Sequence, residues 1–265
     1  MTDPHELLHL GVEAAHAAGA LLLQGRDGDR SAVASKSSLT DMVTEMDRAS
    51  EDLIARTVLA ARPGDAFLAE EGTAGAGTTG VRWVVDPLDG TTNYLYGFPS
   101  WAVSVAAETD GRAVAGVVHD PVHGETFTAV RGRGAHCNGR LLRVEGPAEL
   151  STALVGTGFS YDAATRGEQA AQLAGIIPAV RDVRRAGAAS LDLCWVGLGR
   201  LDLYYERGLQ PWDWAAGALV ATEAGAALLT LEDGTLVAGP PRLHDAFVAL
   251  VRSARAEGPA GITPA

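Results

Sequence analysis

Apolar residues recur at helical spacing near the start of the chain. Leu7, Leu8, Val12, Ala15 and Leu22 share one face of residues 5–23, which predicts an amphipathic helix. Residues 24–39 are polar, hold Gly25 and Gly28, and read as a loop. Thr40 or Asp41 is placed to cap a second helix running to about Leu59. Pro63-Gly64-Asp65 reads as a turn, Phe67-Leu68-Ala69 as a short apolar run, and residues 73–80, built of Gly, Ala and Thr, as an exposed loop. Trp83-Val84-Val85 predicts a buried strand that stops at Asp86-Pro87, because proline removes a ladder donor and fixes φ.

Three β-type segments follow, at 102–109, 113–119 and 125–130. The turns Asp110-Gly111 and His123-Gly124 separate them and predict an antiparallel meander. The second half alternates: strand near 153–157, helix near 163–177, strand near 181–184, helix from about Ser190, strand 201–205, helix 212–224, strand 226–231. That alternation predicts α/β layering. No element is assigned after residue 231. Gly146-Pro147 interrupts the pattern, so any boundary between lobes is placed near 146–152.

The length of 265 residues suits one large domain or two intimately packed lobes, and an apolar share of 47% is ordinary for a folded protein. No window approaches the ~18 uninterrupted apolar residues of a membrane span, and the opening Met1–Glu6 has no cationic leader pattern. A cytoplasmic protein without a membrane partner is expected. Cys137 and Cys194 form no motif. His119, His123 and His136 lack ligand spacing and read as structural, not as a zinc site. The formal charge of −12, from 33 acidic against 21 basic residues, argues against nucleic acid as a partner. Taken alone it also argues against a phosphorylated substrate. Lys36 is the only lysine among the 21 basic residues.

The most informative stretch is Trp83-Val-Val-Asp-Pro-Leu-Asp-Gly-Thr-Thr-Asn93. Asp86 and Asp89 flank a proline-enforced turn. Two such carboxylates repel one another and are costly to bury unpaired. A hard cation such as Mg²⁺ removes both problems, and the Leu88 carbonyl is a further candidate ligand. Gly90 and Thr91 open a short helix whose free N–H groups suit a phosphate. The bland alternative for Asp-x-x-Asp is an Asx turn at a strand end.

Asp-Pro-Leu-Asp-Gly-Thr-Thr-Asn resembles the signature of the inositol monophosphatase family, Mg²⁺-dependent, lithium-sensitive phosphatases of small phosphomonoesters. Other stretches agree in order: Ser35-Lys36-Ser37-Ser38 with Asp41-Met-Val-Thr44 and Asp47; Ala69-Glu70-Glu71; Trp212-Asp213-Trp214-Ala215-Ala216-Gly217 followed by Glu223-Ala224-Gly225; and Asp182-Val-Arg-Arg185 with Gly199-Arg-Leu-Asp-Leu-Tyr-Tyr-Glu206. The resemblance covers about residues 5–252. It implies a mixed α/β (α+β) fold, a layered αβαβα sandwich, as a single domain over 1–265 with lobes of about 1–148 and 149–265, assembled as a homodimer.

The resemblance also implies roles. Glu70, Asp86 and the Leu88 carbonyl would hold one Mg²⁺, and Asp86, Asp89 and Asp213 a second, with Glu70 helping a third through water. Thr91, hydrogen-bonded toward Asp47, would position the attacking water. Gly90, Thr91, Arg184, Gly187, Ala188, Ala189 and Glu206 would bind substrate, and Ala188 departs from the Ser or Thr usual there. Lys36 and Asp41 would sit on a mobile loop. Read without the resemblance, Thr91 is equally a helix cap, Asp47 a solvated helix residue, Asp213 an N-cap, Glu206 a surface acid beside Arg207, and Lys36 solvated surface. The expected activity is hydrolysis of myo-inositol 1-phosphate, a small phosphorylated polyol. The alternatives are histidinol phosphate, fructose bisphosphate or a nucleotide 3′-phosphate as substrate, or a regulatory protein-binding role on the same fold.

Overall fold

The computed structural model describes residues 2–26 and 45–256. Lys36, Asp41 and the expected cap of the second helix lie outside the described residues. Helix α1 (Pro4–Arg26) runs a turn beyond the sequence expectation, and α2 (Glu45–Ala61) follows. The first sheet contains β1 (Ala66–Ala69), β2 (Ala74–Gly75), β3 (Val81–Asp89), β4 (Ala102–Thr109), β5 (Arg112–Asp120), β6 (Glu125–Val130), β7 (Ala135–Cys137) and β8 (Arg140–Leu141), in the order β2-β1-β3-β4-β5-β6-β7-β8. Helix α3 (Thr91–Tyr96) joins β3 to β4. The second sheet contains β9 (Leu154–Thr157), β10 (Asp182–Arg184), β11 (Leu203–Arg207), β12 (Ala227–Thr230) and β13 (Thr235–Gly239), in the order β10-β9-β11-β13-β12. Helices α4 (Ala163–Ile176), α5 (Ala189–Leu198), α6 (Pro211–Glu223) and α7 (Pro241–Ala256) complete the chain.

The layers follow from the two-residue period of the strands. On β3, Trp83 and Val85 face α1 and α2, whereas Val84 faces α5 and α6. The other face of α5 and α6 packs on the second sheet through Leu193, Val196, Ala218, Ala221 and Tyr204. Beyond that sheet, Ile176 of α4 and Phe247 and Val251 of α7 close a further core. The result is an αβαβα sandwich. Helix α1 is long and apolar enough to cross a membrane by length and composition alone. Its Leu7, Ala14, Ala15, Ala18 and Leu22 are instead buried against the first sheet.

Four features depart from the sequence reading. The strand through Trp83 does not stop at Pro87 but continues to Asp89. Asp86 pairs with Ser104 and Asp89 with Ala102, so one extra residue is accommodated between them. The ladder thus skips the residue that has no N–H. The bulge is pinned by Ser50, whose hydroxyl donates to the Pro87 carbonyl at 2.8 Å. The 73–80 loop contributes the two-residue edge strand β2. Strands β7 and β8 extend the meander past Val130. Strand β13 and helix α7 lie beyond the last predicted element, although Leu243, Phe247, Val251 and Ala254 have helical spacing.

Candidate active site

Glu70 follows the end of β1, and its backbone N–H donates to the Val85 carbonyl on the neighbouring strand. The parallel pairing of β1 with β3 therefore brings Glu70 beside Asp86. Asp86 is 2% exposed and accepts the Leu88 N–H at 3.0 Å. The Asx turn and the buried carboxylate are thus the same group. Asp89, at the strand end, accepts the Ala189 and Ser190 N–H groups at 3.2 and 2.7 Å and the Ser190 hydroxyl at 2.5 Å. Asp213 is the third residue of α6, not its N-cap. It accepts the Gln210 N–H at 2.6 Å in a capping box.

Gly90 begins α3 at φ 91°, in the left-handed region. A Cβ there would lie 2.9 Å from the Ser100 carbonyl oxygen. The Thr91 hydroxyl donates to the Leu88 carbonyl at 3.0 Å, not toward Asp47 as the resemblance implied. This bond closes a local turn at the start of α3. Asp47 is buried on α2, and its charge acts on both Glu70 and Asp86. Trp212 and Trp214 are partly buried against the cores on the two sides of α6.

These groups surround a cavity of about 120 Å³. Glu70, Asp86, Leu88, Asp89, Gly90, Thr91, Gly187, Ala189, Glu206 and Asp213 all line it. Ala188 is buried behind the lining. Arg184 is not brought there. It lies 55% exposed, with its guanidinium on the Asp182 carboxylate at 2.6 Å. Its neighbour Arg185 lines the cavity instead. Adjacent residues in extended chain point to opposite sides, so two consecutive arginines cannot be told apart until the strand's facing is known. Gly158, Phe159, Tyr161 and Leu209 also line the cavity and were not anticipated. Tyr161 sits 3.2 Å from the Thr92 hydroxyl, across the two halves of the chain. Gly158 carried the one usable signal, a glycine directly after a predicted strand. A Cβ there would lie 2.1 Å from both Glu206 carboxylate oxygens.

The carboxyl groups resist ionisation. Burial pushes Glu70 up to about 8, aided by the charges of Asp213 and Asp47. Burial pushes Asp89 up to about 7, although the Ser190 hydrogen bonds pull the other way. Burial takes Asp213 to about 6 against the Gln210 N–H, and Asp86 well above the ordinary carboxylate range, with Glu70 as its strongest like charge. Burial likewise takes Glu206 to about 7, opposed by the Tyr204 hydroxyl, which donates to it at 2.7 Å.

Among the described residues, no Lys or Arg makes an ion pair with Glu70, Asp86, Asp89 or Asp213. No three His, Cys, Asp or Glu side chains among them stand ready in metal-coordinating geometry. Glu70 and Asp86 stand close enough to act on each other's ionisation. The donor chemistry nonetheless fits a hard divalent cation: buried carboxylate oxygens from four places in the chain, with no basic partner to neutralise them. The histidines lie elsewhere. His119 and His16 both reach the Thr126 hydroxyl, and His123 pairs with Asp120.

Comparison with known proteins places this five-layer αβαβα fold, with its cavity between the two halves, among the phosphoric monoester hydrolases. The inositol monophosphatase family model matches residues 3–258, and the chain belongs to the inositol monophosphatase family. It is 48% identical over 241 residues to the inositol-1-monophosphatase of Mycobacterium bovis, covering 85% of this chain and 83% of that one. It is 38% identical over 257 residues to the Escherichia coli K12 protein named Nus factor SuhB, covering 94% and 96%. Among solved structures, Mycobacterium tuberculosis SuhB matches with a TM-score of 0.83 at 43% identity, over 96% of this chain and 98% of the other.

Proposed function

We propose that the protein hydrolyses small phosphomonoesters of polyols, myo-inositol 1-phosphate foremost, with Mg²⁺ as cofactor. One observation carries the reading: four carboxylates, Glu70, Asp86, Asp89 and Asp213, converge on one cavity without a basic partner among the described residues. These four and the Leu88 carbonyl would hold two to three ions. When bound, the ions supply the positive charge that draws in a phosphate dianion and lower the pKa of water for attack. On this reading the acid excess of the chain disfavours phosphate only while the carboxylates are bare.

The chain's own groups supply the rest. Thr91, held by Leu88, and Asp47, buried beside Glu70, would orient the attacking water. Gly90 lets the start of α3 approach the phosphate closely. Glu206, braced by Tyr204 and facing Arg185, would accept hydroxyl hydrogen bonds from the alcohol, with Gly187 and Ala189 shaping the wall beside it and Ala188 buried behind them. Phosphate release from inositol 1-phosphate, histidinol phosphate, fructose bisphosphate and a nucleotide 3′-phosphate tests this in Mg²⁺ and in EDTA. The highest kcat/KM is expected for inositol 1-phosphate, with loss in EDTA and inhibition by Li⁺. Full turnover in EDTA would refute the metal reading. A different preferred substrate would refute the polyol.

Gly158→Ala tests the alcohol side separately. The added methyl overlaps the Glu206 carboxylate and must displace it. KM for inositol 1-phosphate is expected to rise roughly tenfold, the scale of one lost discriminating contact. Hydrolysis of p-nitrophenyl phosphate, which has no hydroxyls to bind, should change little. A second reading, a protein-contact role on this fold, is favoured by the relative named Nus factor SuhB. Partner capture that is equal with wild type and Asp86→Asn would support such a role beside catalysis.

A further inference from the structure

Helix α5 presents an unusual start. Its N-cap, Ala188, offers no side-chain hydrogen bond. The first two N–H groups, of Ala189 and Ser190, are satisfied instead by the Asp89 carboxylate, which arrives from the other half of the chain. Those two N–H groups have their acceptor without any contribution from the Ser190 side chain. Yet Ser190 adds a third bond. Its hydroxyl, 0% exposed, donates to Asp89 Oδ2 at 2.5 Å, the oxygen that already accepts the Ser190 N–H at 2.7 Å. Oδ1 keeps a single, longer contact of 3.2 Å to Ala189. The carboxylate is therefore held by one oxygen, and the other retains most of its acceptor capacity in a side chain that lines the cavity.

We propose that Ser190 is a positioning residue that locks Asp89 through Oδ2 so that Oδ1 is presented to a divalent cation. The proposal rests on the reading of Asp89 as a metal ligand. Hydrogen bonds from behind a ligating side chain hold its orientation, and their loss typically weakens metal binding about 10- to 100-fold.

The test is calorimetric titration of Mg²⁺ into metal-free full-length protein. Ser190→Ala is expected to raise the Mg²⁺ Kd about tenfold, and Ser190→Thr, which keeps the hydroxyl, to restore it. In turnover, the Mg²⁺ concentration for half-activation should rise in parallel while the KM for inositol 1-phosphate stays near wild type. If Ser190→Ala does not fold, Ser190→Cys takes its place, with similar volume and a weak donor. A Kd equal to wild type, with only the melting temperature lowered, would overturn the proposal and leave Ser190 as packing. Absence of Mg²⁺ binding by the wild-type protein would overturn the metal reading itself, and the proposal with it.

Discussion

Asp86→Asn is expected to lower Mg²⁺-dependent kcat/KM for inositol 1-phosphate by about a thousandfold or more and, at the same time, to raise the melting temperature of the metal-free protein. Both effects come from the same carboxylate. Asp86 lies in the middle of the cluster and is buried, with Glu70, Asp89, Asp213 and Asp47 all acting on it as like charges. An amide is a poor ligand for a hard cation. Losing one shared ligand removes several kcal/mol of transition-state stabilisation, and each ~1.4 kcal/mol is tenfold in rate. The amide oxygen still accepts the Leu88 N–H that closes the turn, so the bulge at Pro87 survives. What disappears is a buried carboxyl that must either keep a proton the unfolded chain releases or stand charged among like charges. A gain of even 1 kcal/mol raises the melting temperature of a chain this size by roughly 2–4 °C. Retained Mg²⁺-dependent turnover, or a clearly less stable variant, would contradict this account.

The second large effect is on stability as a function of pH. In EDTA, the melting temperature is expected to fall steadily between about pH 5 and pH 8. The sign follows from the direction of the shifts. Glu70 at about 8, Asp89 at about 7 and Asp213 at about 6 are all raised above the ordinary carboxylate value near 4. The folded chain therefore keeps protons that the unfolded chain has already released. Stability from these groups is fully present below about pH 4 and is lost as pH rises through their folded values. The slope is about 1.4 kcal/mol per pH unit for each retained proton. Asp65 and Glu125 are shifted downward, so their contribution is complete by about pH 5. Among the described residues the one opposing change inside the window, His119 lowered to about 4, is outnumbered by the raised carboxyls. With Mg²⁺ the curve should flatten or reverse, because the cation binds the deprotonated carboxylates and its stabilisation grows with pH. Differential scanning fluorimetry at pH 5, 6, 7 and 8, with and without Mg²⁺, measures this. Parallel curves would remove the link between the carboxylate cluster and the cation.

Much of the site was legible in the linear order. Asp86, Leu88, Asp89, Gly90 and Thr91 lie within six residues, so the strand and turn that bring them together are local. Glu70, Asp213 and Glu206 are distant in sequence and entered through the family resemblance, which the family match then bore out. The inward arginine was not legible. Arg184 and Arg185 are chemically identical neighbours, and only the strand's orientation turns one toward Asp182 and the other into the cavity. The acceptor of the Thr91 hydroxyl was not legible either. That acceptor, the Leu88 carbonyl, becomes available only when β3 runs on past Pro87.

By itself the sequence determined what depends on near neighbours: the period of its strands and helices, the position of the meander turns, the glycine where φ is positive, and the family to which the chain belongs. The consecutive apolar residues Trp83, Val84 and Val85 on β3 were enough to require a sheet covered on both faces. Tertiary structure alone decided how the charges stand. An aspartate on a free chain is a hydrated ion near pKa 4. Packed between the two sheets beside other carboxyls, it becomes a group that holds its proton to about pH 6 or 7. That change comes from exclusion of water and from the Coulomb repulsion of partners more than a hundred residues away, and neither is a property of any segment on its own.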